Sequence, residues 1–300
     1  MFGWFKRHSV EVAKPVAVPN DSLLDWPHLL ANEAAYRTAF TTARPFPWLV
    51  ADGFLAEGRP QELADGFREA LKEKNPLAPK KHRHVLRKIG TMTREKMTPT
   101  QRRFFEDLAH PAFMAYLERI TGISPLYADA DLNGGGLHEI HEGGYLNVHV
   151  DFNFHPKNKQ HRRLNLIVYL NERWEDAWGG HLELWPADFS AVAGSIAPLA
   201  NRMVLFETSE VSYHGHPVPL APPPGVTRKS MAVYYYSKWP KGVTKREKTG
   251  YVLLPWQKDR LRAEINAARE SGAKDDKEVL ACLTRWEPRD VQAMLKSMAS

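Results

Sequence analysis

Between residues 137 and 237 the chain runs in short apolar or alternating stretches, each closed by a turn signal. The stretches are 145–150, 164–170, 181–185, 203–207, 211–217 and 229–237, and the punctuation is Asn171, Gly179-Gly180, Gly194, Asn201 and Pro222-Pro223-Pro224-Gly225. Runs this short, repeated this often, predict many strands, and many short strands close into a barrel or a double-sheet jelly roll. That reading dominates the fold class: mainly β, with helices at the flanks.

The flanks carry a different period. Residues 21–44 are helical in part, and 46–50 with Phe54-Leu55 read as a strand entering the domain. Over 60–74 the residues Leu63, Phe67 and Leu71 fall on one helical face. Thr98-Pro99 opens a further helix carrying Phe104, Phe105, Leu108, Phe113, Tyr116, Leu117 and Ile120, with Pro111 as a kink or break and Gly122 as its end. After Trp256 helical spacing returns, through Leu261 and Ile265, then Val279 and Leu283, then Val291 and Leu295. The expected organisation is a tail over 1–20, a domain over 21–240 with its β core at about 137–240, and a helical extension over 241–300. No internal repeat and no long linker interrupts it.

Composition excludes several classes. With Cys282 as its one cysteine, the chain of 300 residues forms no internal disulfide. No stretch approaches the roughly 20 apolar residues of a membrane span. The aromatic and basic start, with Phe2, Trp4, Phe5, Lys6 and Arg7, lacks the apolar run of a secretory signal, so a cytoplasmic location is expected and a frayed terminus is favoured over a membrane contact. The net charge of +6 is mild. Its densest basic run, Lys80, Lys81, His82, Arg83, His84, Arg87 and Lys88, reads as a solvated loop or helix face, because no nucleic-acid module accompanies it.

The chemistry concentrates at His149-Val150-Asp151. Residues two apart on a strand face the same way, so the imidazole and the carboxylate project together while Val148 and Val150 face oppositely. Two such groups begin a site for a divalent metal. The segment 212–217 offers a third ligand, either His214 or His216. Two histidines and one carboxylate on one face of an octahedron leave three positions open, the pattern of non-haem iron(II) oxygenases.

Residues 137–237 resemble the catalytic domain of the prolyl-hydroxylase-like iron(II)/2-oxoglutarate oxygenases. The matching pieces are His149-Val150-Asp151, Tyr169-Leu170-Asn171, Trp178-Gly179-Gly180, residues 201–206, Ser212-Tyr213-His214 and Arg228-Lys229-Ser230; residues 46–55 are similar to the strand that opens such domains. The resemblance implies a double-stranded β-helix (jelly roll) with helices packed on one sheet. It implies iron(II) on His149, Asp151 and His214, since the family's ligand follows a serine and one bulky residue, which leaves His216 behind the ligands or in a loop. It implies 2-oxoglutarate as cosubstrate with Arg228 gripping its far carboxylate; arginine suits because its planar fork pairs both oxygens and stays charged when desolvated. Ser230, Tyr169 and Tyr145 are the expected hydroxyl partners there. The gap between His214 and Arg228 exceeds the family's usual spacing through a proline-rich excursion at 219–225.

What else the resemblance implies concerns partners. Dioxygen is the oxidant, ascorbate an expected reductant, and a prime substrate is hydroxylated at an unactivated C–H bond. The glycines at 134–136 and 143–144, with residues 153–162, are expected to frame its entrance, and His138, His141, His155 and His161 read as solvated loop histidines. A prolyl residue of a peptide or protein is the family's choice of substrate. The alternatives are a small metabolite, a glycan sugar, or a jelly roll that binds without catalysing. A zinc hydrolase of cupin-like fold would favour more histidines and give Arg228 no role.

Overall fold

The computed structural model describes residues 17–78 and 83–299. The aromatic-basic start and Lys80, Lys81 and His82 of the basic run lie outside the described residues.

Helices α1 (Trp26–Ala31) and α2 (Glu33–Thr42) lead into strand β1 (Trp48–Asp52). The helical spacing over 60–74 resolves into two pieces, α3 (Arg59–Asp65) and α4 (Phe67–Ala70), parted at Gly66. There the backbone lies so close to the next helical layer that a Cβ would sit 2.5 Å from the Gln101 amide and 2.8 Å from Thr98. After β2 (Val85–Thr91) come α5 (Pro99–Ala109) and α6 (Pro111–Thr121). Thr98 and Gln101 form a reciprocal cap on α5, Thr98 Oγ1 accepting from the Gln101 amide at 3.2 Å and Gln101 Oε1 from the Thr98 amide at 3.1 Å. Pro111 divides the two helices because a ring without N–H is tolerated only in a first turn. Gly122, at φ 73°, ends the second.

The strand-rich part follows as β3 (Tyr127–Ala128), β4 (Gly136–Val150), β5 (His161–Tyr169), β6 (Leu182–Trp185), β7 (Gly194–Ile196), β8 (Arg202–Glu207), β9 (Tyr213–His216), β10 (Arg228–Ser237) and β11 (Gly250–Tyr251). Helices α7 (Pro255–Glu270), α8 (Asp276–Cys282) and α9 (Pro288–Ala299) close the chain. The strands pair antiparallel in the order β1-β8-β5-β10-β4-β9-β6-β7, with β2 and β11 added along β4 and β3 along β10. The sheet curls on itself as a jelly roll with helices against one face.

Period-two alternation decides what each face carries. Leu164, Leu166 and Val168 of β5 and Met231, Val233 and Tyr235 of β10 pack against Phe54, Phe104, Phe113 and Tyr116 of the helical layer. Burying side chains of this size contributes about 1.5–3 kcal/mol each. The other face of the same strands, with Tyr169, Ser230 and Tyr234, looks into the curl of the sheet. The three C-terminal helices have a core of their own around Leu261, Ile265, Val279, Val291 and Leu295.

Two readings of the sequence need correction. Of the basic run, Arg83 and His84 do lie in a turn, but Arg87 and Lys88 belong to a strand, 85–91, paired with β4. The strand that carries His149 begins at Gly136, not near 145, because Gly143 at φ 72° bends it without ending it. The excursion at 219–225 returns to the sheet. Leu220 is tied to the bend by two bonds, Gly143 N–H to Leu220 O at 2.7 Å and Leu220 N–H to Gly144 O at 3.0 Å.

Candidate active site

His149 lies near the end of β4, Asp151 is the first residue beyond it, and His214 on β9 stands directly opposite His149 in the antiparallel register. All three are buried, and their ligand atoms lie within 4.8 Å of one another. His149 Nε2 is 3.6 Å from Asp151 Oδ1, His214 Nε2 is 3.6 Å from Asp151 Oδ2, and the two rings are 4.3 Å apart.

Each ring is already oriented. His149 Nδ1 lies 2.8 Å from the Asn147 carbonyl and His214 Nδ1 lies 2.9 Å from the Ser212 carbonyl. A carbonyl only accepts, so Nδ1 carries the proton in both rings and Nε2 keeps its lone pair for a metal. Asp151 Oδ2 accepts from Arg162 Nη2 at 2.7 Å and from Asn165 Nδ2 at 3.1 Å. Burial alone would raise the Asp151 carboxyl, but the Arg162 guanidinium, helped by the neighbouring histidines, outweighs it and holds the group far below the usual carboxylate range. Burial, with His149 beside it, pushes His214 down to about 4. Asp151 is thus a carboxylate and His214 a neutral imidazole near neutral pH, the protonation states in which these groups bind a metal.

The three residues open into a cavity of about 200 Å³ whose far wall holds Arg228, Tyr169 and Ser230. Arg228 heads β10, opposite Ile140, and is 4 % exposed. Its guanidinium lies 4.8 Å over the Tyr169 ring, donates from Nε to the Gly180 carbonyl at 2.7 Å and from Nη2 to Tyr169 Oη at 3.0 Å. Gly180 must be glycine: its φ is 71°, and a Cβ would meet Leu220 at 2.7 Å and Arg228 at 3.3 Å. No carboxylate pairs with Arg228 among the described residues, so this buried cation has the chemistry of an anion site.

Residues 135–236, which include the whole constellation, match the model of the 2OG-Fe(II) oxygenase superfamily. The match covers about a third of the chain and ends with β10. The matched segment and the His-Asp-His trio within it give an iron(II)- and 2-oxoglutarate-dependent oxygenase, with dioxygen and a prime substrate as its other partners. Among solved structures it is similar to prolyl 4-hydroxylases from Phytophthora capsici, at 16% identity and a TM-score of 0.53 over 94% of both chains. It is also similar to a Trichoplax adhaerens prolyl hydroxylase in complex with a hypoxia inducible factor peptide fragment, at 17% identity and TM-score 0.49 over 69% of this chain and 91% of that one. A Pseudomonas putida prolyl-4-hydroxylase follows at 17% identity and TM-score 0.47, over 68% of this chain and 100% of that one. No curated protein matches the chain. No helix among the described residues is long and apolar enough to cross a membrane.

The oxygenase brings together His149, Asp151, His214, Arg228, Ser230 and Tyr169, but not Tyr145. Counting by twos from His149 puts Tyr145 on the inner face. A register shift between Leu146 and His149 turns the strand over, so Leu146 faces the cavity and Tyr145 faces away. Its hydroxyl donates to the Arg83 carbonyl at 2.8 Å and its ring lines a separate cavity of about 250 Å³ beside Trp256 and Trp286. His138 and His155 also depart from expectation. His138 belongs to β4 and lines the active cavity, while His155 is buried against Asp129, Nε2 to Oδ1 at 3.3 Å. His155, Asp129 and Asp131 lie close enough to hold an ion, but His155 Nδ1 accepts from the Asn158 amide at 3.1 Å, which engages both ring nitrogens in a structural network.

Other residues of the site escaped the sequence reading. Asn165 shares the inner face of β5 with Tyr169, and a polar residue at that parity was a signal available to alternation. Arg162 gave none, because a bulge opposite Tyr235 and Tyr236 sets its face; its guanidinium is clamped 3.2 Å over the Tyr234 ring and 4.7 Å over Phe152. Tyr251 comes from β11, pairs opposite His149 and lines the cavity from outside the family's matched segment.

Proposed function

We propose that this oxygenase hydroxylates an unactivated C–H bond of a prolyl residue in a peptide or protein, with iron(II) held by His149, Asp151 and His214 and the far carboxylate of 2-oxoglutarate held by Arg228. The observation that carries the ligand assignment is one cavity with a preoriented His-Asp-His trio at one end and, at the other, an arginine with no counter-charge among the described residues.

The residues' work follows from their chemistry. Asn147 and Ser212 carbonyls keep both imidazoles in the tautomer that presents Nε2. Arg162 and Asn165 fix the Asp151 carboxylate and hold it ionised. Arg228 orients the cosubstrate along the cavity, and the Tyr169 and Ser230 hydroxyls complete the polar surround of its carboxylate. When bound, iron(II) with 2-oxoglutarate and dioxygen supplies the oxidising power for C–H hydroxylation, releasing succinate and carbon dioxide.

The prolyl choice draws support from the likeness, over nearly the whole chain, to the Phytophthora capsici prolyl 4-hydroxylases. The test is anaerobic addition of iron(II) and 2-oxoglutarate, which is expected to give a weak visible charge-transfer band. Air is then admitted with proline-containing peptides or with pooled small metabolites and sugars, and succinate is followed. Peptide-dependent succinate with a product 16 Da heavier supports the reading; stimulation by metabolites alone overturns the prolyl substrate, and no band overturns the cofactor assignment.

A further inference from the structure

We infer that His216 is a second anchor for 2-oxoglutarate, donating a ring N–H to the cosubstrate between the metal end and Arg228. The inference rests on the cosubstrate reading above. His216 is 3 % exposed, and among the described residues neither Nδ1 nor Nε2 has a hydrogen-bond partner. Buried polar groups in folded proteins are normally satisfied, and an orphaned one points to a partner that binds. His149 and His214, by contrast, each have one nitrogen fixed by a carbonyl.

The position of His216 names that partner. Along β4, His149 stands opposite His214, Leu146 opposite His216, and Ile140 opposite Arg228. Leu146, His216 and Arg228 line the same cavity as the metal trio. A dicarboxylate stretched from the metal end to Arg228 therefore runs past the His216 ring. Ile140, Leu146 and Leu182 of this wall are apolar, and the charged groups that act on the ring, Arg228 and Lys88, are cations and offer it no acceptor. A carboxylate or keto oxygen of the ligand satisfies it.

The experiment uses the full chain loaded with Mn(II) under anaerobic conditions and measures 2-oxoglutarate binding by calorimetry, with thermal melts alongside. His216→Val is expected to weaken 2-oxoglutarate about tenfold, in line with loss of a hydrogen bond to a charged group. Mn(II) affinity is expected to stay within about twofold. The ligand-free variant is expected to melt no lower than the parent, since valine leaves no buried polar group unmatched, while the melting shift produced by 2-oxoglutarate shrinks. His216→Asn keeps a side-chain N–H and is expected to recover part of the affinity, and it also serves as the reading if the valine variant does not fold. Unchanged 2-oxoglutarate affinity in both variants overturns the inference, as does loss of Mn(II) instead of 2-oxoglutarate. If the parent itself binds no 2-oxoglutarate, the cosubstrate reading has failed, and the comparison with Arg228→Ala tells the two apart.

Discussion

The two ends of the cavity are finished to different degrees. At the metal end both imidazoles are locked by backbone carbonyls and the carboxylate by Arg162 and Asn165, so the trio holds its geometry with protein contacts alone. At the far end Arg228 spends its bonds on a carbonyl and a phenol, with no counter-charge, and the two nitrogens of His216 have no partner among the described residues. The first arrangement is preorganised; the second is completed by its ligand. On the proposed assignment, an enzyme built this way would bind metal with little rearrangement and gain stability when the dicarboxylate arrives. The predictions below attack one end at a time.

The largest effect belongs to the metal end. Asp151→Ala is expected to abolish iron binding and all succinate production, because it removes a ligand and leaves the fully buried Arg162 without its counter-ion. Breaking a buried pair on one side typically costs about 3–5 kcal/mol, so a lower melting temperature should accompany the loss. His149→Ala should lose the charge-transfer band and turnover without that electrostatic cost. Full turnover by either variant would place the metal elsewhere. His214→Ala should behave as His149→Ala does; retention of iron by that variant would transfer the ligand role to another residue.

The far end should fail differently. Arg228→Ala is expected to leave Mn(II) or iron(II) binding intact and to raise the 2-oxoglutarate requirement steeply. A charge-assisted hydrogen bond is worth about 1.5–3 kcal/mol, which corresponds to roughly ten- to a few hundredfold in affinity at about 1.4 kcal/mol per decade. Arg228→Lys should recover part of this, since lysine keeps the charge and loses the fork. Iron binding that falls together with 2-oxoglutarate binding would mean that the two ends are not separable.

Legibility in the sequence follows the same division. Alternation alone puts the candidate ligands His149 and Asp151 on one face, while the choice of His214 over His216 comes from the resemblance. Arg228 was readable as the head of a final strand despite the excursion at 219–225, because Leu220 anchors the loop and β10 returns opposite Ile140. Legibility stops at irregularities of the sheet. The shift between Leu146 and His149 sends Tyr145 to the wrong face, and the bulge near Tyr235 hides Arg162. A one-residue slip inverts every side chain beyond it; the first is marked only on the partner strand, by Gly215, where a Cβ would come within 2.9 Å of the Leu146 carbonyl, and the second is marked by no glycine. Tyr251 was hidden for another reason: its place opposite His149 is set by a two-residue pairing that no local pattern announces.

The smallest effect is a pH dependence common to both ends. Burial pushes His214 down to about 4 and His138 and His216 well below the ordinary imidazole value. An unfolded histidine titrates near 6.5. Above that pH neither state is protonated at these rings and their contribution to stability is complete. As pH falls from about 6.5 toward 4 the unfolded chain takes up protons that the folded rings refuse, so stability drops through that window. Asp151 adds nothing until lower pH, because its carboxyl is depressed and its contribution is lost only below about 4, where the unfolded carboxylate protonates. A fully withheld proton is worth about 1.4 kcal/mol per pH unit, and each kcal/mol moves the melting temperature of a large domain by roughly 2–4 °C. The metal-free protein should therefore melt several degrees lower at pH 5 than at pH 7. His216→Val should flatten the slope from the far end, because it removes one such ring without touching the metal trio. A melting temperature that is unchanged or higher at pH 5 would mean that these rings are protonated in the folded state, and the account of both ends as neutral imidazoles would fall.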